Sequence, residues 1–182
     1  MIYLQNRTRG AGLDTRALAG VLERLLAEIG ERGTSVSLTF VRDAEMRELN
    51  REHREKDVPT DVLSFPLYPP EAFDRTGATR PAGWRILRQA QDDIGDPDDG
   101  VGQARDDRPE RMLGDIVVSV DTARRQADAY DAPLAREIER LLIHAVLHLA
   151  GHDHLETAER TVMEAEERRL ADAIGMPWPY LV

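Results

Sequence analysis

Four of the five histidines in the chain lie within eleven residues, in the stretch HAVLHLAGHDH that runs from His144 to His154. Imidazole nitrogen is one of the preferred ligands of zinc in proteins. Because the sequence contains no cysteine, any metal site must be built from nitrogen and oxygen ligands. The clustering indicates a metal centre. The alternative is a half-buried helix whose histidines form hydrogen bonds in the core.

The spacing of three of these histidines fits a single metal ion. His144 and His148 are four residues apart, so on a helix they project from the same side, one turn from each other. Gly151 is a residue type that commonly ends a helix, and His154 follows three residues later. A chain that turns at Gly151 can bring His154 back over the other two rings. We therefore predict that His144, His148 and His154 bind one metal ion.

The pattern His-x3-His-x2-Gly-x2-His is that of the metzincin metalloprotease signature. Those proteases carry a glutamate general base directly after the first histidine, where this chain has Ala145. Three protein ligands leave a fourth position for water, as in catalytic zinc sites. The pattern predicts a catalytic metal site and disfavours peptide hydrolysis by the metzincin route. Zinc suits an all-imidazole site, and nickel, copper and iron are the alternatives.

Two further polar residues of this stretch, His152 and Asp153, each have alternative roles. His152 has three possible roles: a ligand, a hydrogen-bonding partner of a ligand, or a solvent-exposed neighbour. We favour a non-ligand, because three nitrogen ligands are already supplied. Asp153 is a candidate to accept a hydrogen bond from a ligand imidazole and so orient it. An ordinary turn aspartate is an equally good interpretation of Asp153.

A second polar group lies in the run LNREHREKDVPTDVLSFPL, which starts at residue 49. Asn50, Arg54 and Lys56 are candidates for an anion clamp, because an arginine fork suits the phosphate oxygens that gain charge during phosphodiester cleavage. The charges alone favour the alternative of a solvated helix end in which glutamates pair with the basic residues. We expect Thr60 and Asp61 to cap and pin the turn that follows.

Hydrophobic periodicity predicts the elements that position these residues. Strand-like runs lie at 2–8, 35–41, 61–67 and 114–120, and helical spacing is found at 14–29, around 43–49, at 121–130, from 131 or 133 to 151, and at 157–174. Asp14 and Asp43 are the expected N-caps of the first two helices. This order predicts a single α/β domain over residues 1–182, with a mixed sheet of about four strands packed against helices. The metal site is expected at the end of a helix in the C-terminal half.

Residues of about 69–112 form a stretch of different character. It has no sustained apolar period and includes the acidic run DDIGDPDDGVGQARDD. We predict a largely irregular acidic insertion on the surface. A loop of this length in a compact domain is expected to be either functional or dispensable.

The charge of the chain bears on its partners. The net charge of −10 disfavours nucleic acid as a partner, but residues 1–70 carry 10 basic and 11 acidic groups, so a local basic strip is compatible with the sequence. The N-terminus does not resemble a secretory signal, and no stretch approaches the roughly 20 apolar residues of a membrane span. We therefore expect no membrane association, and the absence of cysteine fits the cytoplasm.

Three blocks of the sequence resemble the YbeY family of bacterial rRNA-maturation endoribonucleases. HAVLHLAGHDH resembles the family's HGxLHLxGYDH, and DVPTDVLSFP resembles its DxPTDVLSFP. LGDIVVS resembles the family's strand in front of the metal helix, and Asn50 with Arg54 matches its Asn-x3-Arg pattern. The resemblance implies zinc at His144, His148 and His154, with Arg54 as the functionally required arginine near the metal.

The resemblance also implies a zinc-dependent, single-strand-specific endoribonuclease that acts in 16S rRNA 3′-end maturation and ribosome quality control. Its implied partners are RNA, the small ribosomal subunit and a ribosomal or assembly-factor protein. This chain departs from the family pattern at His152, usually tyrosine, at Ala145, usually glycine, and in its longer insertion. We expect the acidic insertion to lie away from the cleft, where it would not repel RNA. The alternatives are a metallohydrolase with another substrate and a ribosome-associated binding factor in which the metal is structural.

Overall fold

The computed structural model describes residues 1–8, 10–70, 73 and 111–178 of the chain. The strands of this part are β1 (Ile2–Asn6), β2 (Thr34–Val41), β3 (Val62–Pro66) and β4 (Arg111–Ser119). Its helices are α1 (Thr15–Glu28), α2 (Asp43–Arg54), α3 (Val120–Ala129), α4 (Leu134–Leu149) and α5 (Thr157–Ile174). The predicted order of elements is confirmed. None of the helices described has an apolar stretch long enough to cross a lipid bilayer.

The four strands form one mixed sheet in the order β1-β2-β4-β3. β1 pairs in parallel with β2, and β2 pairs in parallel with β4, whereas β3 is antiparallel to β4. The central strands β2 and β4 are largely buried, as expected for strands that are covered on both faces. The predicted α/β class and mixed four-stranded sheet are confirmed.

Helices cover the two faces of the sheet unequally. Successive residues of a strand point to opposite faces, and on β4 Val118 joins a large apolar core whereas Val117 joins a small one. The large core includes apolar residues of α1, α4 and α5, and the small one includes Met46 of α2. The helix that carries the histidines, α4, and the helix that ends at Arg54, α2, therefore pack on opposite faces of the sheet.

Gly114 allows α4 and β3 to approach β4 closely. The pairing of β2 with β4 has an irregularity between Ser35 and Val36, whose partners are Met112 and Gly114. A Cβ atom on Gly114 would lie 2.3 Å from the backbone oxygen of Phe65 and 2.9 Å from Cδ2 of Leu149. Only glycine fits here without displacing backbone, and the position sets how near the end of α4 lies to the sheet.

The two predicted helix N-caps have different outcomes. Asp14 caps α1, because its side chain accepts a hydrogen bond from the backbone N–H of Ala17 at 3.0 Å. The prediction for Asp43 is wrong: the N-cap of α2 is Arg42, and Asp43 is the first helical residue. The carboxylate of Asp43 instead accepts hydrogen bonds from the hydroxyls of Ser119 and Thr122 and from Arg125, at 2.6, 2.8 and 2.7 Å. It ties α2 to the start of α3.

Most of the predicted insertion, residues 71–72 and 74–110, lies outside the described residues, as does the prediction that it is irregular and lies away from the cleft. β4 already begins at Arg111, and Phe73 is only 3% exposed and belongs to the large apolar core. Phe73 therefore supplies apolar surface beside Gly151, whereas Pro69 and Pro70 are exposed.

Candidate metal centre

The helix α4 brings its two histidines to the edge of the core. From Leu141 to Leu149 each residue is buried except His144 and His148, which are half-buried. The helix has its C-cap at Ala150, and Gly151 has a φ of +80°. A Cβ atom at Gly151 would also lie 3.0 Å from Pro70 Cα and from Phe73 Cδ2. Glycine is thus required by both backbone conformation and space, and the turn it makes leads directly to His154.

Three imidazoles converge after this turn. One ring nitrogen each from His144, His148 and His154 lie within 4.8 Å of one another, and in the described part of the chain they are the group able to hold a metal ion. The ring centroids are 4.6 Å apart for His144 and His148, 5.4 Å for His144 and His154, and 5.1 Å for His148 and His154. The structure therefore brings together the three residues predicted from spacing.

In His144 and His148, a hydrogen bond at one ring nitrogen determines which nitrogen is left to face the point where the three rings converge. Nδ1 of His144 lies 2.8 Å from Oε1 of Glu167, and Nδ1 of His148 lies 2.9 Å from the backbone oxygen of His152. Both partners are acceptors, so each Nδ1 is the donor, and in the neutral ring each Nε2 keeps its lone pair. The two Nε2 atoms are 3.1 Å apart. Lone pairs that face each other at this distance repel unless a cation is shared between them, so the donor set fits a metal ion.

The protonation state of His148 also suits a ligand. Burial, together with the neighbouring His144 and His154, lowers the pKa of His148 to about 4. The ring is therefore neutral at pH 7. Neutral imidazole is the form that binds a metal, so no proton has to be removed from this ligand before binding.

The structure assigns places to the two residues whose roles the sequence leaves open. His152 is buried, and its ring is not in the group of converging nitrogens. Its backbone oxygen, rather than its side chain, is the group that orients His148. The predicted contact of Asp153 with an imidazole is not found: its carboxylate accepts a hydrogen bond from the backbone N–H of His154 at 2.7 Å. Asp153 thus shapes the turn, since the acceptors for His144 and His148 come from elsewhere.

A cavity opens beside the histidines on the side of α5. Its walls are formed by two of the predicted ligands and by four residues of α5: His144, His154, Arg160, Met163, Glu164 and Glu167. Arg160 is exposed and donates a long hydrogen bond of 3.5 Å to the backbone oxygen of His154. The cavity therefore offers one cation and two carboxylates next to the point where the rings converge.

The second predicted group, at the end of α2, does not line this cavity. Asn50 is buried, and its side-chain amide donates to the backbone oxygen of Val58 at 2.7 Å. Its own backbone oxygen accepts from the N–H groups of Glu55 and Lys56. Asn50 therefore holds the loop after α2, and its place in the anion clamp stays a prediction.

The side chains of Arg54 and Lys56 are exposed, and among the described residues neither takes part in an ion pair. The alternative in which glutamates pair with them is therefore not found either. Arg54 is the last residue of α2, where a positive charge interacts favourably with the helix dipole. The structure leaves its guanidinium available to an external anion.

Asp61 fixes the turn in front of β3, as predicted. Its carboxylate accepts hydrogen bonds from the backbone N–H of Val62 at 2.8 Å and from the hydroxyl of Thr60 at 3.1 Å. It also accepts one from Gln126 of α3 at 3.0 Å, and Arg140 of α4 lies 3.9 Å away. These contacts tie the loop that follows Arg54 to the helix that carries the histidines.

Two residues of the site were missed at the level of sequence, Glu167 and Arg160. A signal for Glu167 exists: α5 buries Met163, Leu170 and Ile174, and Glu167 lies four residues after the first and three before the second. An acidic residue on the apolar face of a helix needs a partner. Arg160 lies seven residues before Glu167, on the same side of α5, but its side chain is exposed in the first turn of the helix and an exposed arginine gives no such signal.

The chain matches one protein family and many curated relatives. The family profile of Endoribonuclease YbeY matches residues 3–175. The Endoribonuclease YbeY of Carboxydothermus hydrogenoformans is 35% identical over 178 residues, which cover 97% of this chain and 99% of that protein. The protein of the same name from Lachnoclostridium phytofermentans is 38% identical over 143 residues, covering 79% of this chain and 76% of its own.

A solved structure shows the same fold. The solution structure of a Thermotoga maritima protein superposes on the whole of this chain with a TM-score of 0.56 and 20% sequence identity. At this identity the likeness concerns the fold alone. Together, the family profile, the full-length relatives and the converging histidines show that the chain belongs to the YbeY endoribonuclease family.

Proposed function

We propose that this protein is a zinc-dependent endoribonuclease that cleaves single-stranded RNA in the maturation of the 16S rRNA 3′ end and in ribosome quality control. The observation that carries the proposal is the convergence of three imidazole nitrogens within 4.8 Å, with two of the rings fixed by acceptors at Nδ1. Three protein ligands are the pattern of catalytic zinc sites, whereas structural sites use four.

His144, His148 and His154 would hold the zinc ion. A zinc ion in such a site lowers the pKa of a water molecule and stabilises negative charge on phosphate oxygens. Ala145 supplies no carboxylate, and it is buried in the core, so the metzincin general base has no counterpart at this position. This supports a nuclease over a protease.

Phosphodiester cleavage needs a cation that stabilises the phosphate, and two arginines of the described part of the chain are candidates. Arg54 is the catalytic arginine that the family resemblance implies, and its side chain is exposed and unpaired among the described residues. Arg160 lines the cavity beside the histidines. Because α2 and α4 lie on opposite faces of the sheet, we propose that an RNA strand passes over the edge strand β3 and so reaches both Arg54 and the histidines. Lys56 is exposed in the loop between α2 and β3, and we propose that it contacts the backbone of the same strand.

Single-stranded RNA of the small ribosomal subunit is the proposed substrate, and the cytoplasm is the proposed location. A ribosomal or assembly-factor protein is a further proposed partner. In one alternative, a metallohydrolase with another substrate, the protein would cleave peptides. In the other, a ribosome-associated binding factor, zinc would restore folding after chelation without restoring any catalysis.

The test uses purified protein, zinc and matched RNA substrates. Protein stripped with a chelator is expected to cleave a single-stranded RNA with the sequence of the 16S 3′ end only after zinc is added back. The same sequence annealed to its complement is the control and should remain uncut. Restored folding with no cleavage of either RNA would favour the binding factor, and cleavage of a peptide library would favour the other hydrolase.

A further inference from the structure

Glu167 contacts the metal centre from a different helix. Its carboxylate lies 2.8 Å from Nδ1 of His144, and the two residues are 23 positions apart in the chain. The side chain of Glu167 is 12% exposed and that of His144 is 27% exposed. A partly buried carboxylate in this position has a strong preference for a charged or N–H partner, and the ring of His144 supplies it.

This contact determines which nitrogen of His144 carries the proton. A neutral imidazole has one N–H and one lone pair, and a carboxylate accepts only from the N–H. With the proton on Nδ1, the lone pair of Nε2 points toward Nε2 of His148, which is 3.1 Å away. Without Glu167 the proton is free to occupy Nε2, and the ring would then present an N–H where a ligand is needed.

His148 already has an equivalent partner in the backbone oxygen of His152, which no side-chain substitution removes. For His144 the partner is a side chain of α5, and the cavity at the site is walled by the same helix. Metal-ligating histidines commonly donate their second N–H to a carboxylate, and loss of such a partner weakens metal affinity by about 10- to 100-fold.

We propose that Glu167 is a positioning residue of the metal site, which fixes the tautomer and the direction of His144 and makes the packing of α5 a requirement for tight metal binding. The inference rests on the metal-binding part of the proposed function and is independent of RNA cleavage. It also explains why an acidic residue occupies the apolar face of α5 between Met163 and Leu170.

Glu164 provides a matched control. It lies one turn before Glu167 on α5, lines the same cavity and carries the same charge, but it is exposed and has no hydrogen bond to a histidine ring among the described contacts. Glu167→Gln and Glu164→Gln each remove one negative charge from the cavity wall. Glutamine at position 167 keeps an oxygen that can accept from Nδ1–H of His144, whereas alanine does not. Glu167→Ala therefore tests the contact with His144, and the two Gln variants measure the general effect of charge.

The first measurement uses the metal-free protein and long-range proton–nitrogen NMR correlations of the His144 ring above pH 8. We expect the proton on Nδ1 in the unmodified protein and a shift of population toward Nε2 in Glu167→Ala. Glu164→Gln should keep the proton on Nδ1. A proton on Nε2 of His144 in the unmodified protein would overturn the inference, whatever the variants do.

The second measurement is zinc affinity, by competition with a chelating indicator. Glu167→Ala is expected to weaken binding tenfold or more, Glu167→Gln by less, and Glu164→Gln by less than threefold. Equal weakening by Glu167→Ala and Glu164→Gln would show that only charge matters and would overturn the positioning role. Where Glu167→Ala fails to fold, the position of the proton on His144 in the unmodified protein decides the question. These measurements contain no RNA. If the expected affinities are found but the protein cleaves no RNA, the proposed function is refuted and the role of Glu167 stands.

Discussion

The histidine turn, residues 144–154, and the α2–β3 loop, residues 55–61, are built in opposite ways. In the histidine turn the polar side chains face one another, and the acceptors on Glu167 and His152 fix two of the rings. At the α2–β3 loop the partly or fully buried polar side chains bind backbone groups: Asn50 donates to the oxygen of Val58, and Asp61 accepts from the N–H of Val62. The cationic side chains, Arg54 and Lys56, are exposed to solvent. The first region is organised before any ligand arrives, whereas the second supplies charge whose final position depends on the substrate.

The largest expected effect concerns the glycine that makes the histidine turn. Gly151→Ala should lower the free energy of unfolding by about 2 to 4 kcal/mol, because the new Cβ atom is strained at a φ of +80° and lies 3.0 Å from Pro70 and Phe73. Denaturation in urea measures the change. Gly20→Ala is the matched control. It lies in α1 with no atom within 4 Å of the new Cβ, and it should stabilise the protein by about 0.5 to 1 kcal/mol. Equal effects of the two substitutions would show that the turn is not constrained.

Arg54→Glu tests the other region through activity. We expect at least about a hundredfold loss of RNA cleavage, the size seen when one charge-stabilising group is removed from an active site, with unchanged zinc content. Arg51→Glu, an exposed arginine one turn earlier in α2, is the control for charge alone. If both variants lose activity equally, Arg54 contributes only to the general attraction of RNA. Arg160→Glu, measured in parallel, shows whether the cavity arginine takes the role instead.

Asn50→Ala should lower the free energy of unfolding without changing metal binding. Loss of the hydrogen bond to Val58 leaves a backbone oxygen unsatisfied and is expected to cost about 1 to 3 kcal/mol in unfolding free energy. Metal analysis should give the same zinc content as in the unmodified protein. A loss of zinc on this substitution would contradict the separation of the two regions.

The smallest effect is the dependence of the metal-free protein on pH. The pKa of His148 is about 4 in the folded state, below its ordinary value of 6.5, so between these values the unfolded chain binds more protons. Stability should therefore fall as the pH decreases from about 6.5 to about 4, by at most about 1.4 kcal/mol per pH unit from this group. Urea denaturation at pH 7 and pH 5 measures the change. His148→Gln should show a smaller decrease, and an identical one would exclude a contribution from His148.

Sequence patterns could predict what is local in the structure. The periods of apolar residues give the order of strands and helices, and the spacing of His144, His148 and His154 around Gly151 gives the converging rings. Both depend on contacts within one or two turns of the chain. The same is true of the cap formed by Asp14.

What could not be predicted depends on residues far apart in sequence. Asp43 looks like a helix cap, but its partners Ser119, Thr122 and Arg125 lie 76 to 82 positions later. Glu167 reaches the site only because α5 folds back along α4. The opposite placement of α2 and α4 depends on which face of the sheet each helix covers, which the periodicity of single strands does not specify.

The central claim is that the three imidazoles hold a metal ion on which RNA cleavage depends. Its most direct test is metal analysis paired with cleavage of a single-stranded 16S 3′-end RNA by the unmodified protein and by His148→Ala. We expect one zinc ion per chain and cleavage in the unmodified protein, and loss of both in the variant. Full cleavage by well-purified His148→Ala protein without zinc would contradict the claim.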